Sequence, residues 1–128
     1  MKFLPDTHLL LLAAGEPGKM STSAREIVTD PANELFFSAV SIWEIAIKRA
    51  LGRANFQADL GRMRLLLLAN GYRELTLTSD HGLAVLGLPP IHQDPFDRIL
   101  IAQATTEGIT LLTADSEIAK YPGPIRRV

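Results

Sequence analysis

The stretch His92–Ala104 reads HQDPFDRILIAQA and places two carboxylates, a proline and an arginine at the start of a long apolar run. Pro95 suits the first position of a helix, where its missing N–H costs nothing, and Asp94 directly before it is a favoured N-cap. Asp97 then falls in the first turn, and the residues after it are apolar on nearly every face. We therefore predict a buried helix over Pro95–Glu107 whose acidic end is directed towards something polar.

Both carboxylates of this stretch also have a purely structural explanation. An acid at the N-cap or in the first turn stabilises a helix by accepting hydrogen bonds from unpaired N–H groups and by complementing the helix dipole. The stretch alone therefore does not separate a binding site from a well-capped helix, and the rest of the chain has to decide.

The composition is that of a globular domain. Its 128 residues are enough for one domain with a genuine core, and 47% are hydrophobic and 21% charged. Because the chain has no cysteine, it has neither disulfides nor thiolate metal sites, and a reducing compartment, the cytoplasm, is its simplest location. The apolar run Leu9–Ala14 is too short to span a membrane, and Pro5 and Asp6 interrupt its likeness to an export signal. We expect a single cytoplasmic domain over residues 1–128 with no membrane attachment.

Short apolar runs alternate with longer helical ones, which is typical of a parallel α/β sheet with helices on both faces. The predicted strands are Lys2–Pro5, Glu34–Ser38, Tyr72–Thr76, Ile109–Thr113 and Pro124–Val128. The predicted helices are His8–Ala14, Ser23–Thr29, Ser41–Leu51, Gln57–Asn70, Ser79–Leu86, Pro95–Glu107 and Ser116–Tyr121.

Helix ends carry their own signals. Ser23–Glu26 and Ser41–Glu44 have the spacing of a capping box, and Gly71 and Gly108 stand where a left-handed residue would end a helix. Two helices lie between the second and third strands, so we expect residues 41–70, approximately, to project as a helical arm. The arm offers more apolar side chains than one sheet face can cover, so part of it should contact a partner.

Four acids can be placed together on this scheme. Asp6 follows the first strand, Glu44 lies early in the helix after the second, Asp97 opens the helix before the fourth, and Asp115 follows the fourth. Ligands of an open parallel sheet bind outside the carboxyl ends of its strands, so the four converge if the first and fourth strands are neighbours. Singly, each has an alternative: Glu44 could close its capping box, Asp115 could cap a short helix, and Asp6 could start a turn.

As a set, the four acids indicate a cation site. Ionised carboxylates repel one another by about 1 kcal/mol per close pair even at high effective dielectric, so they need a cation to coexist. An all-oxygen cluster favours Mg²⁺ or Mn²⁺, and such sites suit phosphodiester hydrolysis. The net charge of −1 does not indicate a protein that coats polyanions.

Four segments together resemble the PIN-domain ribonucleases, and within them the VapC-type toxins of toxin–antitoxin pairs. These segments are Leu4–His8, Ser38–Ile45, Asp94–Ala104 and Leu112–Asp115, in chain order over essentially the whole sequence. The resemblance implies a PIN-like three-layer α/β/α fold with a central five-stranded parallel sheet, the first strand in the middle. It also implies Mg²⁺- or Mn²⁺-dependent RNA cleavage, a homodimer, and inhibition by a cognate VapB-type antitoxin.

The resemblance also implies roles for individual residues. The acidic quartet that holds the metal falls on Asp6, Glu44, Asp97 and Asp115. Thr7 and Thr113 become hydroxyls that support those acids, and Asp94 is a cap first and an outer ligand second. From their position near an acid we add Lys48 and Arg98 as contacts to the RNA phosphates. Trp43 and Phe96 have apolar neighbours in predicted helices, so we interpret them as core or groove wall rather than as base-stacking platforms.

Two other functions compete with this hypothesis. A haloacid-dehalogenase-like Mg²⁺-dependent phosphatase also begins with an Asp after its first strand, but it needs Asp-x-Asp, and His8 breaks that pattern. A receiver-like Mg²⁺-binding signalling module needs an Asp directly after the third strand, where this chain has Thr76–Ser79, with Asp80 already in the next predicted helix. Within the ribonuclease hypothesis, a mechanism without metal would need two of the three histidines of the chain in one cleft. These histidines, His8, His81 and His92, are scattered along the sequence.

Overall fold

The computed structural model describes residues 1–53 and 59–128, and its centre is a sheet of five parallel strands. They are β1 (Lys2–Pro5), β2 (Glu34–Ser38), β3 (Arg73–Leu75), β4 (Thr110–Thr113) and β5 (Ile125–Arg127). The strand order is β3-β2-β1-β4-β5, and every neighbouring pair is parallel. The predicted parallel sheet with the first strand in the middle is confirmed.

Six α-helices are present among the described residues. They are α1 (Thr7–Gly15), α2 (Thr22–Thr29), α3 (Ala39–Ala50), α4 (Leu60–Ala69), α5 (Ser79–Ala84) and α6 (Pro95–Glu107). Short 3₁₀ turns cover Pro17–Lys19, Val85–Gly87 and Ile118–Lys120. The predicted helix start at Gln57 lies outside the described residues, and α4 as described begins after Asp59, whose side chain accepts from the Arg62 N–H.

The side chains of successive strand residues point to opposite faces, and this alternation builds two cores. On one face Phe3, Leu35, Phe37 and Leu112 pack with residues of α1, α3 and α4. On the other face Leu4 and Leu111 pack with Leu100, Ile101 and Ala104 of α6 and with Tyr121. The result is the predicted three-layer α/β/α arrangement.

Helix α6 follows its sequence signals closely. Asp94 is its N-cap, with Oδ1 accepting from the N–H groups of Phe96 (2.8 Å) and Asp97 (3.3 Å). At its other end Gly108 has φ +67°, the left-handed conformation that a residue with a Cβ adopts only at a cost. Its interior, Leu100–Ala104, is buried, so the prediction of a buried helix with a polar entrance is confirmed.

Two predicted capping boxes are wrong, because a different serine caps each helix. Helix α2 is capped by Ser21 rather than Ser23. Helix α3 is capped by Ser38, whose hydroxyl accepts from Val40 N–H and donates to Gln103 Oε1 at 2.6 Å. Helix α3 therefore starts at Ala39, two residues earlier than predicted, and Glu44 lies in its second turn, where it closes no capping box.

The predicted last helix, Ser116–Tyr121, is also wrong. Only a single 3₁₀ turn forms there, Ile118–Lys120, because Pro122 and Pro124 follow closely and Asp115 Oδ1 accepts from the Glu117 N–H in a local turn. No helix in the described residues has the length and apolar character needed to cross a membrane.

Candidate active site

The four predicted acids line one open cleft of about 430 Å³ beside the carboxyl ends of β1 and β4. The sheet grows from β1 through β2 to β3 on one side and through β4 to β5 on the other, so the cleft lies where the strand order reverses. The lining residues are Asp6, Thr7, His8, Glu44, Lys48, Asp94, Asp97, Ala114, Asp115 and Ile118.

One half of the cleft, which we call the strand side, consists of Asp6, Thr113 and Asp115. Asp6 is buried and caps α1, with Oδ1 accepting from Leu9 N–H at 2.9 Å. The buried hydroxyl of Thr113 donates to Asp6 Oδ2 at 2.6 Å and accepts from the Asp115 N–H at 3.0 Å. Thr113 therefore ties both acids of the strand side to the end of β4.

The other half, which we call the helix side, contains Glu44 of α3 and Asp97 of α6. Glu44 is buried, and its two oxygens are held separately: Oε1 accepts from the Thr7 hydroxyl at 2.7 Å, and Oε2 pairs with Lys48 Nζ at 2.5 Å. Because Lys48 stands one turn after Glu44 on α3, the ammonium neutralises the carboxylate from within its own helix. The two predicted residues Thr7 and Lys48 thus both contact Glu44.

Asp97 is bonded to a residue that sequence reasoning did not assign to the site. Its Oδ2 lies 2.8 Å from His92 Nε2, and the Asp94 carboxylate stands one helical turn before it. His92 precedes α6, so no helical spacing relates it to Asp97. The signal in the sequence was only that His92 opens the acidic stretch.

A buried tyrosine fixes the segment that carries His92. The Tyr121 hydroxyl accepts from His92 N–H at 2.7 Å and donates to His92 O at 3.0 Å. Arg98 Nη1 donates both to this hydroxyl, at 3.0 Å, and to Pro89 O, at 2.9 Å. Arg98 does not line the cleft, so the structure does not bring this predicted phosphate contact together with the acids.

The electrostatics of the cleft disfavour the ionised form of two of its acids. Burial raises the pKa of Asp97 to about 6, and the Asp94 charge adds to the rise, while the hydrogen bond with His92 opposes it. Burial also raises the pKa of Asp6, against the lowering effect of the Leu9 N–H and the Thr113 hydroxyl. Both shifts show that the fold holds these carboxylates where their negative charge is unfavourable.

The chemistry of the donors fits a hard divalent cation, because the cleft offers mainly carboxylate oxygens. Within residues 1–53 and 59–128, the group of three whose ligand atoms all lie within 4.8 Å of one another is His92, Asp94 and Asp97. The four predicted acids do not form so tight a group in these same ranges. Asp115 in particular is exposed at the rim.

Two aromatic residues stand beside the helix side of the cleft. Trp43 is 58% exposed, which excludes a core position and leaves the groove wall of the two positions predicted for it. Its ring meets that of half-buried Phe96 edge-on, with centroids 5.3 Å apart and planes at 70°. Lys48 Nζ lies 5.8 Å from the Phe96 centroid, which connects the aromatic pair to the cleft.

Comparison with known proteins identifies the family. A family model described as the PIN domain matches residues 3–124. This chain belongs to the PIN domain family. None of the curated protein sequences matches it significantly.

Solved structures share the PIN domain fold over almost the whole chain. The structure of VapBC2 from Rickettsia felis bound to a promoter DNA fragment matches with TM-score 0.73 and 12% sequence identity. The match covers 99% of this chain and 98% of that chain. VapBC-1 from nontypeable Haemophilus influenzae has TM-score 0.61 and 18% identity over 99% and 98%. VapC20 from Mycobacterium tuberculosis, a sarcin-ricin loop cleaving toxin, has TM-score 0.62 and 14% identity over 94% and 96%. At these identities the likeness establishes the fold.

The two competing functions gain no support from the family or from the geometry. Asp80, the acid that follows β3 most closely, is exposed in α5 and does not line the cleft, so a receiver-like pocket is not formed. His8 lines the cleft two residues after Asp6, at the position where a haloacid-dehalogenase-like phosphatase needs its second Asp.

Proposed function

We propose that this PIN domain is a Mg²⁺-dependent endoribonuclease, with Mn²⁺ as an alternative ion, and the toxin of a VapBC-type pair. The observation that carries the proposal is the convergence of Asp6, Glu44, Asp97 and Asp115 from separate segments on one cleft of a PIN domain. The resemblance of the fold to VapC20, a toxin that cleaves the sarcin-ricin loop, supports RNA as the substrate.

The proposed division of labour follows the contacts. Asp6, Glu44, Asp97 and Asp115 are the metal ligands, Thr7 and Thr113 fix the orientation of their carboxylates, and Asp94 holds the first turn of α6. When bound, the metal supplies an activated water and stabilises negative charge on the leaving oxygen.

Lys48 is the phosphate contact that the geometry favours over Arg98. It lines the cleft and neutralises Glu44, and a cation at Glu44 would compete with this ion pair and direct the ammonium towards a substrate phosphate. The Arg98 guanidinium is already engaged with Pro89 and Tyr121.

The decisive experiment is a ribonuclease assay on single-stranded and loop RNA. We expect cleavage with Mg²⁺ or Mn²⁺, loss of cleavage in EDTA, and recovery when excess metal is restored. Ca²⁺ should support RNA binding with little turnover, because its larger and more flexible coordination shell fits a Mg²⁺ site poorly. Full cleavage in EDTA would contradict the metal mechanism.

The proposed function includes two protein partners, an antitoxin and a second copy of this chain. The VapBC complexes from Rickettsia felis and Salmonella typhimurium share this fold, and we propose a VapB-type antitoxin and a homodimer for this chain. The domain would act in the cytoplasm as a single unit over residues 1–128, with residues 41–70, approximately, as the helical arm that meets its partners.

The arm has a covered and an uncovered side. Ile45 and Leu67 are buried in the core shared with α1, whereas Leu65 is 64% exposed and Leu66 and Leu68 are also exposed. We therefore place the dimer contact on this uncovered side of α4. Leu65→Glu should convert a dimer to monomers by light scattering, and the Tm should fall only by the stabilisation that association supplies. Leu86→Glu, in the 3₁₀ turn Val85–Gly87, should leave the dimer intact. A wild-type monomer at tens of micromolar would contradict this.

A further inference from the structure

Trp43 is a large aromatic side chain that the fold leaves open to solvent at the edge of the acidic cleft. It directly precedes Glu44 on α3, and its neighbour Phe96 directly precedes Asp97 on α6. Each ring is therefore adjacent in sequence to an acid of the helix side, so the aromatic pair is anchored to the same two helices as the candidate metal ligands.

The indole is held but not covered. Its described ring contact is the edge-on one with Phe96, 5.3 Å between centroids at 70°, and 58% of the residue stays exposed. An edge-on contact fixes the direction of a ring while leaving aromatic surface available to a further ring. Lys48 Nζ lies 5.8 Å from the Phe96 centroid and pairs with Glu44, so one cation is near both the aromatic pair and an acid of the cleft.

An RNA strand has groups that match both the cleft and the aromatic pair. Its phosphates need cations and a metal site, and its bases, once unstacked, need aromatic surfaces beside them. Trp43 and Phe96 do not line the cleft themselves, but Lys48, which does, lies 5.8 Å from the Phe96 centroid. Other exposed apolar side chains of the molecule, such as Leu83 and Leu86, have no π-face.

We propose that Trp43, supported by Phe96, is a stacking subsite for one nucleobase of the RNA strand, flanking the nucleotide whose phosphate enters the cleft. The inference rests on the proposed ribonuclease function and deepens it. A stacking surface accepts any base, so the subsite selects unpaired RNA rather than a particular sequence.

Trp43 is the single tryptophan of the chain, so its fluorescence reports on this position alone. The wild-type protein in Ca²⁺ is titrated with a short oligoadenylate and, as the matched control, with an abasic ribose-phosphate chain of equal length. We expect saturable quenching by oligoadenylate and little change with the abasic chain, because only the former brings a base onto the indole.

Kinetics in Mg²⁺ supply the second measurement. Trp43→Ala should raise the KM for oligoadenylate by about tenfold with kcat within about twofold, and Trp43→Phe should recover most of the loss. Leu86→Ala, which removes a side chain from a residue 85% exposed outside the cleft lining, is the control and should match wild type. If Trp43→Ala does not fold, the quenching experiment on the wild-type protein still decides.

Each outcome separates this proposal from the one on which it rests. Wild-type cleavage without quenching, together with an unchanged KM for Trp43→Ala, would overturn the stacking subsite and leave the ribonuclease function intact. A wild-type protein that neither binds nor cleaves RNA would overturn both. If Trp43→Ala leaves RNA kinetics unchanged but breaks the complex with a co-expressed antitoxin, Trp43 belongs to a protein interface and the proposal is wrong.

Discussion

The strand side and the helix side of the cleft hold their acids by different means. On the strand side, the Asp6 carboxylate accepts from the Leu9 N–H and from the neutral Thr113 hydroxyl. The Asp115 carboxylate accepts from the Glu117 N–H, while the Asp115 N–H donates to the same Thr113 hydroxyl. On the helix side, Glu44 and Asp97 are each bonded to a side chain that can carry positive charge, Lys48 and His92.

This difference implies different behaviour when a cation arrives. Contacts with backbone and hydroxyl groups coexist with a bound metal, because they leave other carboxylate lone pairs available. A positively charged partner competes with the metal for the same carboxylate. If the proposed cation binds all four acids, the strand side would keep its contacts, whereas on the helix side the cation would compete with the contacts from Lys48 and His92.

The largest effect should come from the helix side. Asp97→Asn keeps the shape of the side chain but removes one negative charge from the cleft, and cleavage in Mg²⁺ should fall at least about a hundredfold, to background. Asp80→Asn, an equivalent change in the first turn of α5 away from the cleft, should cleave normally. Normal cleavage by Asp97→Asn would remove Asp97 from the metal site.

The pH dependence of the free energy of unfolding should report on the ionisation of Asp97 without any assay of activity. The pKa of Asp97 is raised from 3.8 to about 6 in the folded state, so the folded state binds more protons than the unfolded one between these values. The protonated Asp97 carboxyl makes its full contribution to the free energy of unfolding below about pH 4. This contribution, at most about 3 kcal/mol, is lost as the pH rises through about 6.

The measurement is a set of metal-free denaturant titrations from acid to neutral pH. Asp97→Asn should show a flatter profile than wild type and should be more stable than wild type at neutral pH. Asp80→Asn should keep the wild-type slope. Parallel profiles for wild type and Asp97→Asn would show that Asp97 ionises normally in the folded protein.

On the strand side, the key change is Thr113→Val. It keeps the shape of the side chain but leaves the buried Asp6 Oδ2 without its donor, at a cost of about 2 kcal/mol. Cleavage should also fall about tenfold, since Asp6 and Asp115 lose their common anchor. Thr105→Val removes a hydroxyl that bonds only within α6 and should change neither quantity. Unchanged stability would mean that the strand side is not preorganised.

The sequence predicts the strand side better than the helix side, for a physical reason. The strand positions follow from local patterns: β1 and β2 have their predicted bounds, and the acids after β1 and β4 follow from the parallel topology. The bounds of α6 are also predictable from local sequence, because Asp94 and Pro95 mark its start and Gly108 marks its end.

The missed features depend on residues far apart in the chain. His92 reaches Asp97 because Tyr121, 29 residues later, holds its backbone, and α3 begins at Ala39 because the Ser38 hydroxyl also bonds Gln103, 65 residues away. No periodicity or capping motif encodes such contacts. The exposure of Trp43 is of the same kind, since an apolar neighbourhood in sequence favours burial and only the packing of α3 against α6 leaves the ring open.

The smallest effect should come from Asp94, which stands beside His92 and Asp97 but caps α6. Asp94→Ala removes an acceptor for the Phe96 and Asp97 N–H groups and should cost about 1 kcal/mol in free energy of unfolding. The loss of its charge should lower the pKa of Asp97, which favours metal binding there, so much of the cleavage should remain. Asp59→Ala removes the same kind of cap from α4 and is the matched control, with a similar cost and normal activity. If Asp94→Ala abolishes cleavage at unchanged stability, Asp94 is the ligand, and the third acid of the site lies one helical turn before Asp97.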